Sequence, residues 1–181
     1  MKDLPKKVFL ELLSFNTDWI EVSKSGNLSE DFIRYFKDEL DFYYVVQYQR
    51  NLSEELIREI GPELFGYDLY IYQQLSEEFI EEFVPNDIAW TYISICQKLS
   101  EKFMKKYKDH MEWSIISRYQ KLSEEFMTIY QDLLDWKLIS KYQKFSEDFI
   151  DTFSHKLYWY WLIKRNMVSE DKLIDLVEND N

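Results

Sequence analysis

The stretch Leu122-Ser123-Glu124-Glu125-Phe126-Met127-Thr128-Ile129-Tyr130-Gln131-Asp132-Leu133-Leu134-Asp135-Trp136-Lys137-Leu138-Ile139-Ser140-Lys141-Tyr142-Gln143-Lys144 holds two short helical patterns in succession. In the first, A, Ser123 is the N-cap residue, whose hydroxyl accepts from an otherwise unpaired N–H of the first turn. Glu124 and Glu125 follow at the positive end of the helix dipole. Phe126, Met127 and Tyr130 then fall three, four and seven residues after the cap, on one helix face. The third position is Phe and not Glu, so the unit contains no capping box. The second pattern, B, opens with Asp135-Trp136, an acidic cap followed by an aromatic anchor. Ile139 and Tyr142 continue its apolar face, and Ser140 marks a place where helices approach closely.

The same phrase recurs along the chain. Its serine stands at Ser29, Ser53, Ser76, Ser100, Ser123, Ser146 and Ser169, with spacings of 24, 23, 24, 23, 23 and 23. A weaker copy begins at Leu4 with Pro5 in the serine slot. Full repeats therefore start near Leu4, Leu28, Leu52, Leu75, Leu99, Leu122 and Phe145, and a half repeat over 168–181 caps the open end. A unit of about 23 residues cannot bury its apolar face alone, so neighbours must stack. The expectation is an all-α fold: an α-solenoid of two-helix repeats forming a single helical-repeat domain over 1–181, each helix of about 9–10 residues being about 14 Å long. Breakers at Gly61-Pro62 and Pro85-Asn86 fall where a turn is needed.

The chain's 181 residues are 46% hydrophobic, 31% charged and 18% aromatic, with 14 Tyr, 13 Phe and 6 Trp. Only 3 Gly and 3 Pro argue against an all-β fold. One Cys excludes a disulfide framework and a Cys-based zinc site. The apolar run Val8-Phe9-Leu10 is cut by Glu11 and makes a poor signal-peptide core. No stretch approaches the roughly 18 apolar residues of a membrane span, so a cytoplasmic location is expected. The net charge of −12 argues against direct binding to nucleic acid or an anionic membrane, and for basic partners.

The phrase Leu-Ser-Glu-Glu-Phe-Ile, the Asp-Trp step and the Tyr-Gln-Lys ending resemble a family of short helical-repeat proteins of bacteriophages and large DNA viruses. The resemblance covers Leu28 to Val177 and implies no catalytic residue. It does imply a viral or mobile-element origin. Small acidic phage proteins are often antagonists of host defence, anti-CRISPR proteins among them, and that class enters as what the resemblance implies.

Each candidate for chemistry has a structural reading beside it. His110 and His155 lie in A–B turns without companions in metal-ligand spacing, so no metal site and no cofactor is expected. Paired acids such as Glu77-Glu78 and Glu124-Glu125 recur in almost every unit, which an active site would not. They read as helix-start acids, the serines as caps and Cys96 as a packed residue. No catalytic residue is expected. Gln49, Gln73, Gln97, Gln120 and Gln143 share one slot near the end of B. They either satisfy backbone groups of the following turn or form a polar strip for a ligand.

Charge is unevenly spread. Residues 28–98 carry 15 acidic against 5 basic side chains, whereas 99–121 carry 3 against 6. The acidic track is either a solubilising face or a recognition surface. As recognition, Glu54, Glu55, Glu77, Glu78, Glu81, Glu82 and Asp87 are the candidate contacts. The partner expected is a host protein with a basic surface, such as a nuclease or other nucleic-acid-binding defence protein, blocked by partial DNA mimicry. A different class is a passive scaffold or adaptor that binds through an aromatic patch at Trp159 and Trp161. Those tryptophans otherwise fill the last groove under the terminal helix.

Overall fold

A computed structural model of the chain describes residues 17–83, 87–169, 171, 172 and 174. The first copy of the phrase at Leu4 and Pro5, the Pro85-Asn86 breaker and most of the capping half repeat lie outside the described residues. What is described is the all-α two-helix repeat read from the sequence, in two compact units divided between Gln97 and Lys98. The first unit contains α1 (Trp19–Ser23), α2 (Glu30–Tyr35), α3 (Phe42–Tyr48), α4 (Glu54–Ile60), α5 (Asp68–Tyr72), α6 (Glu77–Phe83) and α7 (Asp87–Cys96). The second contains α8 (Glu101–Lys106), α9 (Trp113–Tyr119), α10 (Glu124–Ile129), α11 (Trp136–Tyr142), α12 (Glu147–Thr152) and α13 (Trp159–Lys164). Most are 5–7 residues long, shorter than expected. The A helices stop after about two turns because the chain closes into a tight turn, as at Phe36–Leu40, before B begins.

Each helix packs on the next but one. In the first unit α1, α3, α5 and α7 form a column of B helices, and α2 packs on α4; in the second, α9, α11 and α13 form the column. This is solenoid stacking within each unit. The core follows the register read from the sequence. Ile33, Ile57, Ile80, Met104, Met127 and Ile150, four residues after each cap, are buried, as are Val45, Ile93, Ile116, Ile139 and Leu162 of the B helices. At about 1.5–3 kcal/mol per buried aliphatic side chain, this spine is the main source of stability.

The B-helix tryptophans reach into the following repeat. Trp113 stacks on Tyr130 at 5.2 Å and Trp136 on Phe153 at 5.1 Å, at interplanar angles of 26° and 24°. Their indole N–H groups donate to the carbonyls of Lys108 and Gln131. One of the two long spacings in the sequence has a local cause among the described residues. In the 28–51 unit the extra residue is Asn51, which takes a left-handed φ of 61° in the B-to-A turn, where Asn is among the better tolerated residues. The 52–74 unit is irregular in another way. Gly61 ends α4 at φ 104°, and Pro62–Phe65 form one turn of 3-10 helix that buries Phe65.

Candidate binding faces

The cap serines behave as expected. Ser29, Ser53, Ser76, Ser100, Ser123 and Ser146 each accept from the backbone N–H three residues on, at 3.1–3.2 Å. The finding beyond this is what holds the serines themselves. Glu30 accepts from the N–H and the hydroxyl of Ser53, at 2.8 and 2.9 Å. Glu54 does the same for Ser76, at 2.6 and 3.0 Å, and Glu101 for Ser123, at 2.6 and 3.0 Å. Glu124 holds Ser146 in the same way. The capping box absent within each unit is thus completed by the preceding unit. The first acid of each pair is a fastener between repeats, whereas the second points to solvent. Burial alone would raise the Glu30 carboxyl. The two Ser53 hydrogen bonds and the Arg34 charge outweigh it and hold the group below its ordinary value.

The glutamines form a second set of fasteners. Gln73 donates to the carbonyls of Val46 and Gln49 and accepts from the Leu52 N–H, at 2.8, 2.7 and 3.1 Å. Gln97 repeats this on Tyr70, Gln73 and Leu75, and Gln143 on Ser117, Gln120 and Leu122. The amide thus satisfies the otherwise open carbonyls at the end of the preceding B helix and the N–H just after it, not the turn that follows as the sequence suggested. All five glutamines of the slot are buried, which rules out a ligand strip there. The small serines have a related task. Ser23 donates to the Trp19 carbonyl at 2.7 Å and accepts from Asp41 N–H at 3.0 Å. Ser117 and Ser140 do so for Asp135 and Tyr158.

The candidate acids therefore separate. Glu54 is engaged with Ser76, and Arg58 lies 3.7 Å away. Glu77 occupies the equivalent half-buried position at the start of α6. Glu55 and Glu78 stand one residue further on, exposed on successive A helices. Glu81 and Glu82 are also exposed on α6, and Glu82 pairs with Arg58 at 3.0 Å. Asp87 opens α7, but its side chain lies outside the described residues. Glu59, not among the candidates, is exposed on α4 and paired with Arg34. So the acidic face of 54–82 is real but partly neutralised by Arg34 and Arg58, each of which reaches the next repeat.

Trp159 and Trp161 are half-buried, and Tyr160 between them is 64% exposed. Tyr160 meets Trp161 edge-on at 5.0 Å, and the ammonium groups of Lys141 and Lys164 lie over the Trp161 ring at 4.5 and 5.3 Å. His110 and His155 are exposed in turns. Cys96 is half-buried, and burial pushes its thiol up, away from the reactive thiolate. Among the described residues no three His, Cys, Asp or Glu side chains are grouped to hold a metal ion. Nor is any described helix long and apolar enough to cross a membrane. In comparisons with known proteins, no family model, no curated protein and no solved structure matches this chain.

Proposed function

We propose that the protein is a non-catalytic binding module whose acidic A-helix face engages the basic surface of a host protein, in the manner of a viral inhibitor of a nucleic-acid-binding defence enzyme acting in the host cytoplasm. The observation that carries this reading is the difference within each acid pair. Glu54 is used by the scaffold, yet Glu55 and Glu78 stand on the surface at one recurring position, with Glu81 exposed on the same helix as Glu78. Stacked helices lie about 8–10 Å apart, so such carboxylates form a sparse track that suits a Lys/Arg-lined groove. A groove built for duplex DNA meets one charge per roughly 1.7 Å of axis, so the mimicry is partial.

The test is an affinity pull-down from native host lysate at two ionic strengths. Raising salt from about 0.1 M to 1 M shortens the screening length from about 10 Å to 3 Å and should release the partner. Reversing Glu55, Glu78 and Glu81 to Lys should prevent capture; undiminished capture would refute the electrostatic reading. A second reading, a scaffold or adaptor that binds through the aromatic patch, is favoured by the exposure of Tyr160 beside Trp161. It expects salt-insensitive capture that disappears in Trp161→Ala.

A further inference from the structure

The outer face of the second unit's B helices has a composition that neither fastening nor core packing accounts for. Helices α9, α11 and α13 contain Arg118, Lys137, Lys141 and Lys164 and no acidic residue. Arg118, Lys141 and Lys164 are spaced by 23 residues, so they occupy the same slot in three successive repeats. Each is seated on aromatic rings. The Arg118 guanidinium lies 4.9 Å from the Tyr119 ring centroid and 5.3 Å from that of Tyr142. Lys141 lies 5.1 Å from Tyr142 and 4.5 Å from Trp161, and Lys164 lies 5.3 Å from Trp161 and 5.7 Å from Tyr160. Cation and ring alternate along the column, from Tyr119 to Tyr160. Among the described residues no carboxylate lies within ion-pair distance of these three cations. Tyr119, Tyr142 and Tyr160 remain 46%, 38% and 64% exposed.

Rings beneath each cation hold it in place and exclude water from one side, which lowers the ordering cost when an anion arrives on the other. We propose that this ladder is a docking surface for an extended, carboxylate-bearing protein segment. The charge is complementary, and the spacing fits. Helices stacked about 8–10 Å apart present one cation per step, and an extended chain in the polyproline II conformation, with three residues per turn at about 3.1 Å each, presents every third side chain on one face over about the same distance. Single-stranded nucleic acid fits less well. Its phosphate on every nucleotide outnumbers one cation per step, whereas carboxylates on every third residue match it. The ladder shares no residue with the acidic face of α4 and α6, whose residues belong to the other unit.

The test uses the full chain and a fluorescein-labelled (Glu-Gly-Gly)6 peptide, read by fluorescence anisotropy at about 50 mM salt. The expected result is saturable binding that weakens at least tenfold in Lys141→Gln/Lys164→Gln, and a (Lys-Gly-Gly)6 control that does not bind. Circular dichroism establishes that the variant is folded. Binding that survives the double substitution, or no binding by the wild type, overturns the proposal. So does tighter binding of a single-stranded oligonucleotide of equal length. A dimer seen by sedimentation that the peptide dissolves would assign the surface to a second copy and overturn it too. Salt-insensitive peptide binding lost only in Trp161→Ala would make the face an apolar patch, as the adaptor reading has it, and not a charge ladder.

Discussion

Truncating Glu54 to alanine separates the two roles assigned to neighbouring acids. Glu54 accepts from the N–H and the hydroxyl of Ser76, at 2.6 and 3.0 Å, and its side chain is 28% exposed. A hydrogen bond to a charged group contributes about 1.5–3 kcal/mol net when well shielded. Here water at the rim can replace the lost acceptor in part, so about 1 kcal/mol per bond is appropriate, or about 2 kcal/mol for the variant. For a chain of this size, 1 kcal/mol moves Tm by about 2–4 °C, which gives a fall of about 4–8 °C. Glu55→Ala is the matched control. It removes the same charge from the same helix start, where the dipole contribution is about 0.5 kcal/mol, but it breaks no bond between repeats. Glu54→Gln keeps one carbonyl oxygen for the Ser76 N–H and should recover about half of the loss. Scanning calorimetry of the three variants decides the matter. Equal shifts for Glu54→Ala and Glu55→Ala would mean that both acids act only through the helix dipole, and the fastening argument would fail.

Three further outcomes follow from the same geometry. Gln143→Leu should cost about 3 kcal/mol in urea unfolding, because it leaves the Leu122 N–H and the carbonyls of Ser117 and Gln120 without their buried partner; a neutral result would show that water replaces the amide. Ser117→Ala should cost about 1 kcal/mol through the lost Asp135 bond, and Ser117→Val more, since the added methyls must fit where α9 and α11 pack closest. Tyr70 is buried, its hydroxyl donates to the Phe83 carbonyl, and burial pushes its pKa up to about 12. The unfolded phenol ionises near 10, so between about pH 10 and 12 the unfolded chain has lost a proton that the folded chain keeps, and stability falls as pH rises. Tyr70→Phe should flatten that loss in pH-dependent urea titrations; an unchanged slope would place the effect on other tyrosines.

The repeat, the serine caps and the buried apolar register were legible because each depends on residues within one unit. The period of Phe79, Ile80 and Phe83 after Ser76 is a local signal, and burial of Phe79 and Ile80 follows from it. What escaped was the interaction between units. Glu101 and Lys102 stand in the acid-pair slot together, and that was the available clue. The first position is Glu at every cap serine, while the second drifts to Asp and even to Lys. A position that tolerates Lys102 serves the helix dipole at most, whereas one that is always Glu has a specific partner, here the serine 22 or 23 residues on. The small serines of B were read as spacers. They are that, and their hydroxyls also hold the next B helix by its first N–H.

This division bears on where function can lie. The repeats commit their first Glu, cap Ser, Gln and apolar face to holding their neighbours, and changing any of them weakens the stack before it touches a partner. Sequence recurrence in this protein is therefore a marker of scaffold, and the proposed recognition would use the slots where units differ or where a recurring side chain faces outward without a fastening bond. Glu81 and Lys105 show the first kind, with opposite charges at the same slot, five residues after Ser76 and Ser100. Arg118, Lys141 and Lys164 show the second, since they recur at one slot, lie over exposed rings and hold no carboxylate. Seating over a ring gains about 0.5–1 kcal/mol at an exposed site and offsets the rotamer entropy of ordering the side chain. What distinguishes these three from Arg58, which also lies over rings but pairs with Glu82, is the lack of a carboxylate partner among the described residues, and that is the place the proposed acidic segment would fill.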